Sequence, residues 1–123
     1  MTIQIIEHGE PTGIICDLSY LTAIMSGRKN LINEMIDLII YQVPLELESI
    51  RNGIESLDFE MIKRSAHTMK SSISFMGIPV LMPVLLQIEE LALNEDMVKI
   101  KKQFMKLNLI CKKAVNELKT QIN

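Results

Sequence analysis

Ala66-His67-Thr68-Met69-Lys70-Ser71-Ser72-Ile73-Ser74-Phe75-Met76-Gly77 sets one histidine on the polar side of a strongly periodic helix. With Ile62 at zero on a wheel of about 100° per residue, Ala66, Met69, Ile73 and Met76 fall within about 40° of it and form an apolar stripe. Glu60, Lys63, Arg64, His67, Lys70, Ser71 and Ser74 share the opposite sector. The pattern predicts a helix from about Phe59 to Met76, with His67 pointing out of the core among cations and small hydroxyls. Asp58 is placed to cap its start and Gly77 to end it.

The flanking segments repeat the three-to-four spacing. Residues 28–52 carry Leu31, Ile32, Met35, Ile36, Ile39, Ile40, Val43, Leu47 and Ile50 at helical intervals. Pro44 lacks a backbone donor, so a kink is expected there, and Gly53 is expected to loosen or end this helix. Ser56-Leu57-Asp58 then makes a short connection. After Gly77, Pro79 suits the first turn of a helix running to about Leu93, with Leu81, Val84, Leu85, Ile88 and Leu91 or Ala92 inward. Pro83 is awkward inside it, since an interior proline costs about 3 kcal/mol. Either that helix begins near Pro83 or its first turn is bent. A last helix, about Asp96 to Thr120, is expected to place Val98, Met105, Leu109, Val115 and Leu118 on its main apolar line, with Ile100, Phe104 and lysines around them.

Ahead of these, Asp17 can cap a short helix to about Ser26, with Leu18, Leu21 and Met25 inward and Gly27 ending it. It is expected to cover one end of the bundle. Residues 1–16, with the turn signal Glu10-Pro11-Thr12-Gly13, read as an irregular leader. The expectation is an all-α domain over 17–123, an antiparallel up-down four-helix bundle with a short additional N-terminal helix.

Composition agrees. The 123 residues are 48% hydrophobic but only 4% aromatic, with no Trp, so the core must be built of Leu, Ile and Met, which favour helix packing over a β-sandwich. The nine methionines suit either core filling or an adaptable surface; Met61, Met69 and Met76, at helical spacing, favour the first. Charge is uneven. Residues 1–96 hold six basic and fourteen acidic side chains, net −8, while 97–123 hold seven lysines and one Glu, net +6. Without interleaved aromatics beyond Phe104, the basic segment reads as a solvated helix face beside acidic neighbours rather than a nucleic-acid footprint. Cys16 and Cys111 belong to no C-x-x-C or metal spacing, so a reduced, cytoplasmic chain is the simplest expectation. No apolar run approaches the roughly 18 residues of a membrane span, and no secretion signal opens the chain.

An exposed imidazole with Lys70 one turn onward can accept a phosphoryl group at a ring nitrogen, the lysine offsetting the new charge. The same pattern also fits an ordinary surface histidine. Three other functions compete: an adaptor bundle in which His67 never carries phosphate, a metal or haem bundle, and a hydrolase using Ser71 or Ser72. The metal reading has only His8 and His67 and no Glu-x-x-His pair. The hydrolase reading lacks an orienting acid at suitable spacing and a nucleophile elbow.

From His67 onward the spacing resembles the histidine-containing phosphotransfer (HPt) domain of multistep two-component relays, whose signature runs roughly A-H-x-L-K-G-S-x-x-x-x-G, then Leu, then L-E. Ala66, His67, Lys70, Ser72, Gly77, Leu81 and the pair Ile88-Glu89 occupy the matching places, and Pro44, Ile50, Gly53, Ile54 and Asp58 follow the same rhythm upstream. The resemblance covers about Asp17 to Ala92, with the last helix agreeing only in type. One departure is Ser71 where glycine is usual; its hydroxyl can donate to a phosphoryl oxygen.

The resemblance implies His67 as phosphoacceptor, Lys70 as its charge partner and Glu89 as the residue that orients the imidazole, although Glu89 read alone is equally an ordinary helix-surface carboxylate. It implies docking of response-regulator receiver domains or a hybrid sensor histidine kinase, with Lys63, Arg64, Ser71, Ser74, Phe75 and Gly77 as candidate contacts. It also implies a carrier rather than an enzyme, with no cofactor or metal of its own and Mg²⁺ on the partner receiver. A chain that binds no nucleic acid, is not inserted in a membrane and is monomeric completes the expectation. Which kinase and receiver it serves, the direction of flow, and whether it stands alone or within a hybrid kinase are left open. The alternative is an unphosphorylated adaptor that binds receiver or kinase domains.

Overall fold

The Asp58 carboxylate accepts a hydrogen bond from the Met61 N–H at 3.0 Å, and Gly77 takes a left-handed φ of 66°, so α3 (Phe59–Met76) starts and stops at the capping residues. Its apolar stripe packs as the wheel requires: Ile62, Ala66, Met69, Ile73 and Met76 are all buried, each large side chain contributing about 1.5–3 kcal/mol. The computed structural model describes residues 4–5, 11–12 and 15–121. In addition to α3 these form α1 (Ser19–Ile24), α2 (Lys29–Glu55), α4 (Leu81–Leu93) and α5 (Met97–Gln121). A two-residue antiparallel pair, β1 (Gln4–Ile5) with β2 (Pro11–Thr12), lies in the leader, whose other residues before Ile15 fall outside the described ones.

Helices α2 to α5 pack as a closed ring in which α2 touches α3 and α5, and α4 touches α3 and α5. Connections of a few residues join successive helices, which makes neighbours antiparallel. The diagonal pairs face each other across a core of Ile, Leu and Met side chains. α1 covers one end beside α3, with Leu21 buried and Leu18 and Met25 partly so.

Several details sharpen or correct the sequence reading. Helix α2 runs unbroken through Pro44, which sits on its exposed side. Gly53 does not end it. A Cβ there would stand 2.8 Å from Ile62 Cγ1 and 3.3 Å from the Asp58 carbonyl oxygen, so glycine is what lets α2 and α3 approach. For Pro83 the first of the two options holds: α4 begins near it, at Leu81, and as the third helical residue it occupies a position where an N–H has no intrahelical acceptor, so the interior penalty does not arise. Asp17 precedes the α1 cap residue, Leu18, and its carboxylate accepts from the Ser19 N–H at 3.0 Å and hydroxyl at 2.6 Å.

The largest correction concerns α5. Val98 and Met105, expected inward, are 81% and 72% exposed, and Leu109 lies outward as well. The buried line is Ile100, Phe104, Leu107, Cys111, Ala114 and Leu118, with Ile110 and Val115 beside it. Its alternating four- and three-residue steps keep one seam against α2 and α4, whereas a seam through Val98 and Met105 would bring Lys101, Lys102 and Lys112 toward the core.

The end of the leader is tied down by side-chain and backbone bonds. Ile15 and Cys16 are buried, and their N–H groups donate to the two carboxylate oxygens of Glu117 at 2.7 and 3.0 Å. The Asp17 N–H is shared between the carbonyls of Met76 and Gly77 at 3.0 and 3.2 Å. This strap therefore joins α5 to the α3–α4 turn. Both cysteines are free and buried; loss of solvation pushes the Cys16 thiol up to about 12 and the Cys111 thiol up as well. Among the described residues no helix is long and apolar enough to cross a membrane.

Candidate functional site

His67 projects from the middle of α3 with 71% of its side chain exposed. Its turn of helix is anchored in the core by the neighbours Ala66 and Met69, both fully buried. On the adjoining helix, buried Ile88 holds α4 so that Glu89 turns toward α3. His67 Nδ1 lies 2.9 Å from Glu89 Oε1, and Lys70 Nζ lies 2.7 Å from Glu89 Oε2. One carboxylate thus bridges an imidazole and an ammonium.

The bridge decides the imidazole tautomer. An ionised carboxylate can only accept, so the Nδ1–H must donate to Glu89 Oε1. Nε2 is then left with its lone pair. In this tautomer Nδ1 has no lone pair to accept with, so the 3.4 Å approach of Lys70 Nζ to Nδ1 is not a hydrogen bond; it follows from both groups converging on Glu89, which takes the lysine's hydrogen bond. Glu89 is largely covered, at 17% exposure, and burial alone would raise its pKa. Hydrogen bonds from Lys70 and His67, with the lysine's charge, outweigh that and hold the carboxyl below its ordinary range. The acceptor therefore stays ionised at neutral pH.

Of the residues singled out from sequence, Lys70 and Glu89 are brought to His67; the others are arranged around them. Lys63 pairs with Glu60 at 3.4 Å on its own helix. Arg64 is exposed, and its carbonyl accepts from the Thr68 hydroxyl at 2.9 Å. Ser71 is exposed, whereas Ser74 is half-buried in a hollow shared with Tyr20, Pro79 and Met82. Phe75 is also half-buried, its ring stacked on Tyr20 at a centroid distance of 6.2 Å. Gly77 lies beneath the Asp17 backbone, where any Cβ would overlap the Asp17 carbonyl oxygen. Among the described residues no group of three or more His, Cys, Asp or Glu is placed to hold a metal ion.

Sequence reasoning passed over several neighbours of the site. Leu38, Tyr41 and Leu45 of α2 are 48%, 65% and 51% exposed. Leu38 borders a groove of about 330 Å³ that also touches Thr68, Ser71 and Phe75, while Leu45 borders its continuation past Arg64. Their spacing of three and four residues, off the phase of the buried stripe, was the available signal. Glu46, half-buried, accepts from buried Ser72 at 3.1 Å; desolvation raises its carboxyl and the serine bond partly offsets this. Nothing in a linear reading pairs residues 26 positions apart on different helices.

A family model described as the Hpt domain matches residues 34–121, from the second turn of α2 to the end of α5. No curated protein and no solved structure gives a significant match.

Proposed function

The chain belongs to the Hpt domain family, whose members carry histidine phosphotransfer in two-component phosphorelays, and we propose that it is a relay intermediate phosphorylated on His67. The observation that carries this reading is the Nδ1–Glu89 contact at 2.9 Å, which in the neutral imidazole places the proton on Nδ1 and the lone pair on Nε2 of a ring 71% exposed. Such a ring is a nucleophile already in its reactive tautomer.

In the proposed reaction a receiver domain bearing an aspartyl phosphate docks over α3. The Nε2 lone pair attacks phosphorus in line with the leaving carboxylate oxygen; the N–P bond forms as the P–O bond breaks, and the receiver aspartate leaves as a carboxylate. The ring keeps its Nδ1 proton and becomes cationic, which strengthens its hydrogen bond to ionised Glu89. No proton need be lost, so the step reverses readily toward a second receiver. Phosphoryl transfer depends mainly on positioning and charge stabilisation. Lys70 supplies a fixed cation beside the ring, and Mg²⁺ is expected on the receiver. The protein acts as a carrier and a shape.

Docking would use the polar face of α3, with Lys63, Arg64, Ser71 and Ser74, and the adjoining apolar Leu38, Tyr41 and Leu45 of α2. Small residues at 71 and 74 keep the approach to His67 open. Phe75 and Gly77 would act at the far end of that face, through the shape of the α3–α4 turn.

The test is phosphoryl transfer from the host's phosphorylated receiver domains, with small-molecule phosphoramidate as a partner-free donor, to wild type, His67→Gln and Lys70→Ala. Acid-labile label that requires His67, and forms more slowly without Lys70, is expected. Failure of both receivers and phosphoramidate to label a folded wild-type protein would reject the carrier function in favour of an unphosphorylated adaptor.

A further inference from the structure

The seam that turns Ile100, Leu107, Ala114 and Leu118 into the core leaves an opposite face of α5 that the phosphotransfer site does not use. On a wheel of about 100° per residue, Val98, Met105 and Leu109 lie diametrically opposite the buried line. They are 81%, 72% and 37% exposed. Lys101 and Lys112 flank this stripe on one side, Lys102 and Lys106 on the other, and all four are exposed. None of the four has an ion-pair partner among the described residues. The one acidic residue of α5, Glu117, spends both carboxylate oxygens on the N–H groups of Ile15 and Cys16. The outward face is thus an aliphatic line about 16 Å long between Val98 and Leu109, bordered by cations with no counter-charge from its own helix.

The chemistry of these cations selects among anionic partners. All are lysines, and α5 contains no arginine. Guanidinium groups suit bidentate sites for individual carboxylates or phosphates, whereas ammonium groups on flexible stems act as point charges that spread over a diffuse anionic surface. Such stems also lie along apolar surface while their heads reach outward. No aromatic ring is available on this face for base stacking, since Phe104 is buried. A straight aliphatic line between lysines is the pattern of a helix lying in a membrane interface.

We propose that the outward face of α5 docks on an anionic lipid bilayer, with Val98, Met105 and Leu109 entering the headgroup region and Lys101, Lys102, Lys106 and Lys112 against lipid phosphates. Because α3 and α5 are diagonal in the ring, each packed on α2 and α4, their outward faces point in opposite directions. A protein held by α5 presents His67 away from the bilayer, open to a protein partner. The association is peripheral, consistent with the lack of a membrane-crossing helix among the described residues.

The experiment is flotation of the full chain with vesicles of phosphatidylcholine alone and with roughly one quarter phosphatidylglycerol, at low and physiological salt. Binding to the anionic vesicles alone, weakening with salt, is expected. Lys101→Gln with Lys112→Gln should reduce partitioning roughly 25-fold, at about fivefold per lysine. Met105→Ser with Leu109→Ser should reduce it at constant charge. Circular dichroism and phosphoramidate labelling of His67 should be unchanged in both variants, because the altered side chains lie outside the core and the site. The proposal is overturned if folded wild type fails to bind anionic vesicles, binds neutral ones equally well, or binds as tightly after either pair of substitutions. Retention by nucleic acid or an acidic protein without vesicle binding would overturn it too.

Discussion

Replacing Gly77 with alanine is expected to destabilise the protein by about 3 kcal/mol, and the figure follows from two separable costs. The first is conformational: φ at Gly77 is 66°, where an L side chain costs about 1–2 kcal/mol. The second is steric, because the new Cβ would overlap the Asp17 carbonyl oxygen and the strap must lift. Lifting it breaks the shared Asp17 N–H bond to the Met76 and Gly77 carbonyls, worth about 1 kcal/mol, and loosens the cover over the core near Cys16. Gly27 provides the internal control. Its φ is 69°, but nothing lies within 4 Å of a Cβ built there, so Gly27→Ala should show the conformational cost alone. In urea, with a slope of roughly 1.5 kcal/mol per molar, the Gly77 variant should unfold about 2 M earlier than wild type and the Gly27 variant roughly 0.7–1.3 M earlier. Equal midpoint shifts for the two variants would refute the steric argument. A Gly77→Ala protein as stable as wild type would refute both terms.

Glu89→Gln keeps an acceptor for Nδ1–H but removes the charge, and is expected to slow phosphoryl transfer to His67 roughly tenfold in a single-turnover assay. The lowered pKa of Glu89 sets a sign for pH dependence: the carboxylate favours the folded state above the ordinary glutamate range and loses that effect as pH falls through its depressed folded value. The NMR titration of its side-chain carboxyl carbon should therefore have its midpoint below that of an unperturbed glutamate, and a midpoint above it would contradict the geometry. In α5, Leu107→Ala should cost about 2–5 kcal/mol and Met105→Ala less than about 0.5, measured by urea unfolding; the reverse order would place the helix in the wrong rotation. Asp58→Ala should cost about 1 kcal/mol through loss of the cap on the Met61 N–H.

Much of the bundle can be read from local chemistry. The stripe from Ile62 to Met76, the Asp58 cap and the Gly77 stop all depend on residues within one or two turns of each other, and the structure places them accordingly. In α5 the same method mistook the helix's rotation. Apolar residues occur around much of its circumference, so periodicity alone offers two candidate seams, and packing against α2 and α4 selects the one through Leu107. Gly53 could not be read for a related reason, since its role depends on how near α3 comes, and the choice between the two options for Pro83 depended on where α4 begins.

The candidate site divides in the same manner. His67 and Lys70 are one helical turn apart, and their place on the same polar face was legible from the wheel, although Lys70 is half-buried by its pairing with Glu89. Glu89 could be assigned to the imidazole only by family resemblance, because it lies 22 residues on from His67 and on a different helix, beyond the α3–α4 connection. The sequence by itself determined the helices, the caps of α3, the polar face that carries His67 and the lysine-rich last segment, since each follows from short-range periodicity and charge. The tertiary structure decided which nitrogen of His67 is free, which side of α5 faces outward and why Gly77 has no room for a side chain. Those outcomes depend on contacts between helices, which no single segment's sequence specifies.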